Sequence, residues 1–110
     1  MGNKSAGELW IAQVLEELKA PPHLPHYKFH PERKWQMDFA WVDQKIYLEY
    51  EGKGHSHWNR YHSDVDKYNA AFMRGWRLFR ITFKMLDDGS AISHMRSFIA
   101  LLKSTSSGKI

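Results

Sequence analysis

The sequence predicts an α/β fold in the order α-β-β-β-α-β-α, with a mixed four-stranded sheet flanked by helices. Three observations carry that expectation. Two neighbouring runs, 35–42 and 45–51, alternate side chains with a period of two, as half-buried strands do. Three other segments space their apolar residues at helical intervals. A further strand-like run, 76–83, follows one of those helices, and this order suits a mixed sheet covered by helices.

In chain order, Ser5-Ala6-Gly7-Glu8 has the spacing of a capping box, and Ile11, Val14, Leu15 and Leu18 follow at helical intervals. The first helix is therefore expected to run to about Ala20, where Pro21-Pro22 stops it. Tyr27 to Phe29 is read as a short edge strand, followed by the two alternating strands, of which the second ends at the glycines 52 and 54. Ser63-Asp64-Val65-Asp66 opens a second helix, with Val65, Tyr68, Phe72 and Met73 as its apolar residues and Gly75 as its stop. Trp76 to Phe83 is the fourth strand, and Asp88-Gly89 turns the chain. Ser90 caps a last helix whose buried stripe is Ile92, Met95, Ile99 and Leu102, and the closing Ser-Thr-Ser-Ser-Gly segment is expected to fray. At 110 residues, with 43% apolar and 15% aromatic content, the chain fits one domain with its ordered core over about 5–103.

The alternation places Trp35, Met37, Phe39 and Trp41 on one face of the first run and Gln36, Asp38 and Ala40 on the other. In the second run Ile46, Leu48 and Tyr50 oppose Tyr47, Glu49 and Glu51. A two-residue turn at Asp43-Gln44 pairs Val42 with Lys45, which puts Asp38 opposite Glu49 and Gln36 opposite Glu51. Directly opposed side chains have Cβ atoms about 4.5–5.5 Å apart, and like charges there destabilise a sheet. A divalent cation with oxygen ligands would offset the repulsion, and Mg²⁺ is commonly held by one or two carboxylates plus phosphate oxygens.

The net charge is +4 with a pI near 9.4, so basic residues dominate outside this acidic centre and favour a polyanionic partner, most simply nucleic acid. The absence of cysteine excludes disulfides, a zinc ribbon and a thiol nucleophile. No apolar run approaches the ~20 residues that span a bilayer, and the N-terminus lacks a signal-peptide core. The expectation is an intracellular protein with no membrane partner.

Glu8, the run from Phe29 to Trp41, Glu49-Tyr50-Glu51-Gly52, His55, Asp64, Lys67 and Gly75-Trp76 occur in an order that resembles the restriction-endonuclease-like PD-(D/E)XK nuclease superfamily. Within it, the chain is similar to small phage and bacterial endonucleases related to the very-short-patch repair enzymes. The resemblance covers about residues 5–103. It implies a cytoplasmic, Mg²⁺- or Mn²⁺-dependent endonuclease acting on DNA, in a bacterium or a phage-infected host cell, with branched, mismatched or site-specific duplex as substrates. It further implies Asp38 and Glu49 as metal ligands, joined by the backbone carbonyl of Tyr50 and by Glu8.

Superfamily members often carry a lysine two residues after the second acid, to orient or activate the attacking water, and here that position is Glu51. Three replacements are open: Glu51 itself, an amine brought in by Lys53 or Lys67, or His55 as general base. Each candidate also has a plainer role. Glu8 would complete the capping box, Glu51 would be an exposed strand-end carboxylate, and Asp64 with Lys67 would form a surface ion pair at i, i+3. His55, His57 and His62 crowd one segment, but without cysteine partners and beside oxygen ligands they suit Mg²⁺ or Mn²⁺ chemistry better than zinc. Arg33, Lys34, Lys53, Arg60, Arg74, Arg77 and Arg80 surround the acidic centre and are expected to hold phosphates. His57 would neighbour a phosphate, and Trp58 and Tyr61 could stack on exposed bases, while aromatic residues 35, 41 and 76 are expected in the core.

The leading expectation is hydrolysis of DNA phosphodiesters by metal-activated water. Its rival is a catalytically silent nucleic-acid-binding module of the same fold, which the missing lysine favours and the joint presence of Glu8, Asp38, Glu49 and His55 opposes. Cutting both strands at once with one site per chain would favour a homodimer.

Overall fold

The computed structural model describes residues 5–52 and 58–107, with the side chains of 58–63 and of 106–107 outside that description. α1 spans Ala6–Glu17, and the Ser5 hydroxyl caps it by accepting from the Glu8 N–H at 3.2 Å. Its buried residues are Gly7, Ile11, Val14 and Leu15, the expected stripe without Leu18. The helix closes three residues early because Lys19 turns left-handed at φ 59°, and the Ala20 N–H reaches back to the Leu15 carbonyl at 2.9 Å.

The edge strand β1 covers Leu24–Tyr27, three residues before the expected start, and tolerates Pro25 because an edge strand leaves one side of its backbone unpaired. β2 is Met37–Trp41 and β3 is Ile46–Glu51, antiparallel in the expected register, with Phe39 opposite Leu48 and Trp41 opposite Ile46. The Val42–Lys45 turn is closed by the Lys45 N–H on the Val42 carbonyl at 3.2 Å, with Lys45 left-handed at φ 58°. That extra twist replaces the glycine-bearing turn that Asp-Gln lacks.

α2, Trp58–Met73, begins five residues earlier than expected. It ends as expected at Gly75, φ 87°, where the Trp76 N–H bonds the Ala71 carbonyl at 3.0 Å. β4, Arg77–Thr82, then lies parallel to β3, completing the sheet order β1-β2-β3-β4. A short helix α3, Phe83–Asp88, was not expected from the strand-like run. Thr82 caps it by accepting from the Met85 N–H at 3.3 Å, and Gly89 ends it. α4, Ala91–Ser107, continues through the serines expected to fray, one of whose neighbours, Thr105, bonds the Leu102 carbonyl at 3.0 Å.

Helices cover both faces of the sheet. On one, α1 and α4 pack Ile11, Val14, Leu15, Met95, Phe98, Ile99 and Leu102 onto Phe39, Trp41, Ile46, Leu48 and Ile81. On the other, α2 contributes Ala71 to a smaller cluster with Met37, Ala40, Tyr47 and Trp76. Met37 therefore departs from its expected place beside Phe39 and Trp41. The β2–β3 ladder stops at Phe39, and beyond it β2 no longer keeps the alternation that pairing on both sides enforces. Phe72 and Met73, among the apolar residues of this helix, are 74% and 77% exposed, because the inner stripe of α2 is Lys67, Tyr68 and Ala71. Among the described residues no helix is long and apolar enough to cross a membrane.

Candidate active site

The antiparallel ladder between β2 and β3 ends at Phe39 and Leu48, and one step further Asp38 and Glu49 face each other as the register requires. There the carboxylates take over the hydrogen bonds. The Asp38 N–H donates to Glu49 Oε2 at 3.2 Å, and the Tyr50 N–H donates to Asp38 Oδ2 at 2.9 Å. Each acid thus has one oxygen fixed by a backbone amide of the region opposite, which orients the pair without consuming the second oxygen of either.

Lys67 reaches the same place from α2. Its Nζ donates to Glu49 Oε2 at 2.8 Å, and lysine and glutamate are only 8% and 7% exposed. Ala71, one helical turn onward and fully buried, packs in the small cluster on the sheet and brings this face of the helix down on it. The plainer Asp64–Lys67 ion pair is not formed; the lysine spends its charge on Glu49. Burial nevertheless pushes the Glu49 carboxyl up to about 7, with the Asp38 charge adding to the rise and Lys67 opposing it. A buried lysine is expensive unless paired, so its place beside two acids defines the polar centre of the molecule.

Glu51, next on the same face of β3, pairs instead with Arg80 of β4, whose Nε lies 2.8 Å from its Oε2. The Arg80 guanidinium stacks 4.6 Å above the Tyr68 ring. Burial raises the Tyr47 and Tyr68 phenols, Tyr68 to about 12, and the Glu49 charge adds to both. Sequence reasoning counted Arg80 only among the surrounding charges and gave Tyr68 only a core role, because the β3–β4 register is set by a crossover that periodicity does not encode.

Glu8 lies near Tyr50 in the first turn of α1. A Cβ at Gly7 would overlap the Tyr50 ring, so this glycine lets the start of α1 close on the end of β3, and the Tyr50 phenol is raised first by burial and then by the Glu8 charge. Among the described residues no three His, Cys, Asp or Glu side chains are grouped closely enough to hold a metal ion, so Glu8 is near Tyr50 without joining the Asp38–Glu49 pair. Arg33 and Lys34 are exposed in the β1–β2 connection. Trp35 there is half-buried rather than in the core, stacked on Phe29 at 6.2 Å with the Arg33 guanidinium 4.5 Å from its ring. Lys53, His55 and His57, and the side chains of Trp58, Arg60, Tyr61 and His62, lie outside the described residues.

The donor set fits a hard divalent cation in one respect that geometry supplies. Asp38 Oδ1 and Glu49 Oε1 receive no bond from a described residue, while their partner oxygens are held in place. Two oriented carboxylates with an open oxygen each suit Mg²⁺ or Mn²⁺.

No family model and no curated protein matches the chain. Among solved structures it is similar to the catalytic domain of the homing endonuclease I-Bth0305I, with a TM-score of 0.64, covering 86% of this chain and 94% of that one at 20% identity. The chain has the fold of an endonuclease catalytic domain. At that identity the likeness speaks for the α/β architecture, the mixed sheet between helices, and leaves the chemistry to the residues themselves.

Proposed function

We propose that the protein is a Mg²⁺- or Mn²⁺-dependent DNA endonuclease of the PD-(D/E)XK type, with Asp38 and Glu49 as the core of its metal site. The observation that carries the reading is the oriented carboxylate pair with the buried Lys67 ammonium set on Glu49. The Tyr50 carbonyl is the third proposed ligand, and Glu8, which does not group with Asp38 and Glu49 among the described residues, would have to close on the cation to join the set. When bound, the cation supplies Lewis-acid polarisation of a phosphoryl oxygen and offsets charge at the leaving oxygen.

The chain's own groups do the rest. Lys67 takes the part of the lysine absent at Glu51, holding Glu49 in orientation and placing an amine beside the reacting centre. The neutral His55 imidazole accepts the proton of the attacking water. Arg33, Lys34, Lys53 and Arg60, with His57 and Trp58, hold the DNA through phosphate contacts and stacking. A homodimer would let two such sites cut both strands. The rival, a silent DNA-binding module, draws its support from the acid at position 51.

Nicking of supercoiled plasmid by purified protein with Mg²⁺, Mn²⁺ or EDTA tests the proposal. Asp38→Asn and Glu49→Gln should each lower metal-dependent nicking by about a thousandfold or more while the protein stays folded. Full activity in either variant sinks the metal assignment, and absence of nicking by the unaltered protein favours the silent module.

A further inference from the structure

We infer that Arg80 is a phosphate-binding residue of this site, and that Glu51 is the internal anion that holds it until DNA arrives. The inference takes its ligand class, a nucleic-acid phosphate, from the reading above. Its basis is a guanidinium already built for an anion. Arg80 lies opposite Glu49 in the parallel β3–β4 register, so its side chain leaves the sheet on the face that carries Glu49 and Glu51. Neighbouring strands are only about 4.8 Å apart, which puts this cation beside the carboxylate pair.

Two contacts fix it. The guanidinium carbon lies 4.6 Å from the centre of the Tyr68 ring, and Nε lies 2.8 Å from Glu51 Oε2 as an ion pair. A guanidinium has five N–H donors in a rigid fork, and the Glu51 ion pair approaches only its Nε edge. The contact to Tyr68 does not depend on Glu51, so the guanidinium keeps its place beside the ring if the carboxylate is exchanged.

The Glu51 contact is suited to exchange. The Arg80 and Glu51 side chains are 43% and 39% exposed, and an ion pair in that much water contributes little to stability. A phosphate group offers the guanidinium charge-assisted hydrogen bonds and, unlike the single Nε contact, two-pronged geometry. Glu51 also needs Arg80 in the DNA-free protein, because it is the third acid along a strand end that already carries Glu49 opposite Asp38. On this account the acid in the lysine position is neither metal ligand nor base; it imitates the substrate's charge.

Metal-free binding of a short fluorescein-labelled DNA duplex, followed by anisotropy over a range of salt, tests this without relying on cleavage. Arg80→Ala should weaken binding by about tenfold and reduce the salt dependence by about one ion. Arg80→Lys should restore the salt dependence but only part of the affinity, since it keeps charge without the fork. Glu51→Gln should tighten binding by about threefold by releasing Arg80. Thermal melts of the same variants establish that each is folded. Unchanged affinity and salt dependence in Arg80→Ala would overturn the inference, as would a Glu51→Gln variant that binds as before and loses all cleavage. A protein that binds duplex, responds to these variants as described and yet never nicks DNA would remove the endonuclease reading while leaving the Arg80 phosphate site in place.

Discussion

On the α1/α4 side of the sheet, aliphatic and aromatic side chains from α1, α4 and all but the edge strand interlock into one apolar layer. On the α2 side, five buried residues form a small cluster that gives way, toward the end of β3, to Glu49, Lys67 and the tyrosines around them. The first arrangement follows from the hydrophobic effect alone. The second does not, because desolvating an acid and an amine costs more than an apolar pair of the same size would. The comparison assigns stability to one face and chemistry to the other, and substitutions on the two should differ in kind.

Among stability effects, the largest expected is at Lys67. Replacing it with methionine leaves Glu49 buried without its counter-charge, and should cost about 3 kcal/mol or more at pH 8. Denaturant melts should show that cost shrinking at pH 5, where Glu49 is protonated; a cost independent of pH would mean that Lys67 acts through packing instead. Leu102→Ala on the opposite face should cost about 2–5 kcal/mol at either pH, the penalty of a cavity in a fully buried site.

A smaller effect is the pH dependence of the unaltered, metal-free protein. Because the folded-state Glu49 carboxyl is raised from 4.5 to about 7, the folded protein binds more protons than the unfolded chain between those values. This group's contribution is therefore fully present below about pH 4.5, falls as pH rises toward 7 and is then level. Thermal melts in EDTA should show that decline, and Glu49→Gln should lack it; an identical pH profile in the variant would contradict the assigned burial. The smallest effect is at Phe72, an apolar residue of α2 that lies 74% exposed. Phe72→Ser should change stability by less than about 0.5 kcal/mol, and a loss like that of Leu102→Ala would put the residue back in a core.

The same division governs what the sequence made legible. The α1/α4 face was readable because burial there obeys periodicity: Ile11, Val14, Leu15, Met95, Ile99 and Leu102 all sit where their spacing puts them. The Asp38–Glu49 opposition was readable because hairpin register is a local count, even though Asp-Gln is a poor turn pair. On the α2 face the count misled. A lysine on the inward stripe looks polar to any pattern of apolar residues, so the pattern marks Phe72 and Met73 instead, and Lys67 is one of two lysines that could supply a missing amine. Arg80 was legible only as one of seven basic residues around the acidic centre, since its neighbour Glu49 is reached through a helix and a parallel crossover. The α3 turn was hidden by an apolar run, Ile81 to Leu86, that reads equally as strand or helix until Thr82 is recognised as a cap.

The central claim is that the polar centre of the α2 face exists to hold a divalent cation. Titration of metal-free protein with Mn²⁺, following the free ion by electron paramagnetic resonance, tests it most directly. The unaltered protein and Leu102→Ala should both take up Mn²⁺, whereas Asp38→Asn and Glu49→Gln should leave it free in solution; equal uptake by all four would place any metal elsewhere and contradict the account.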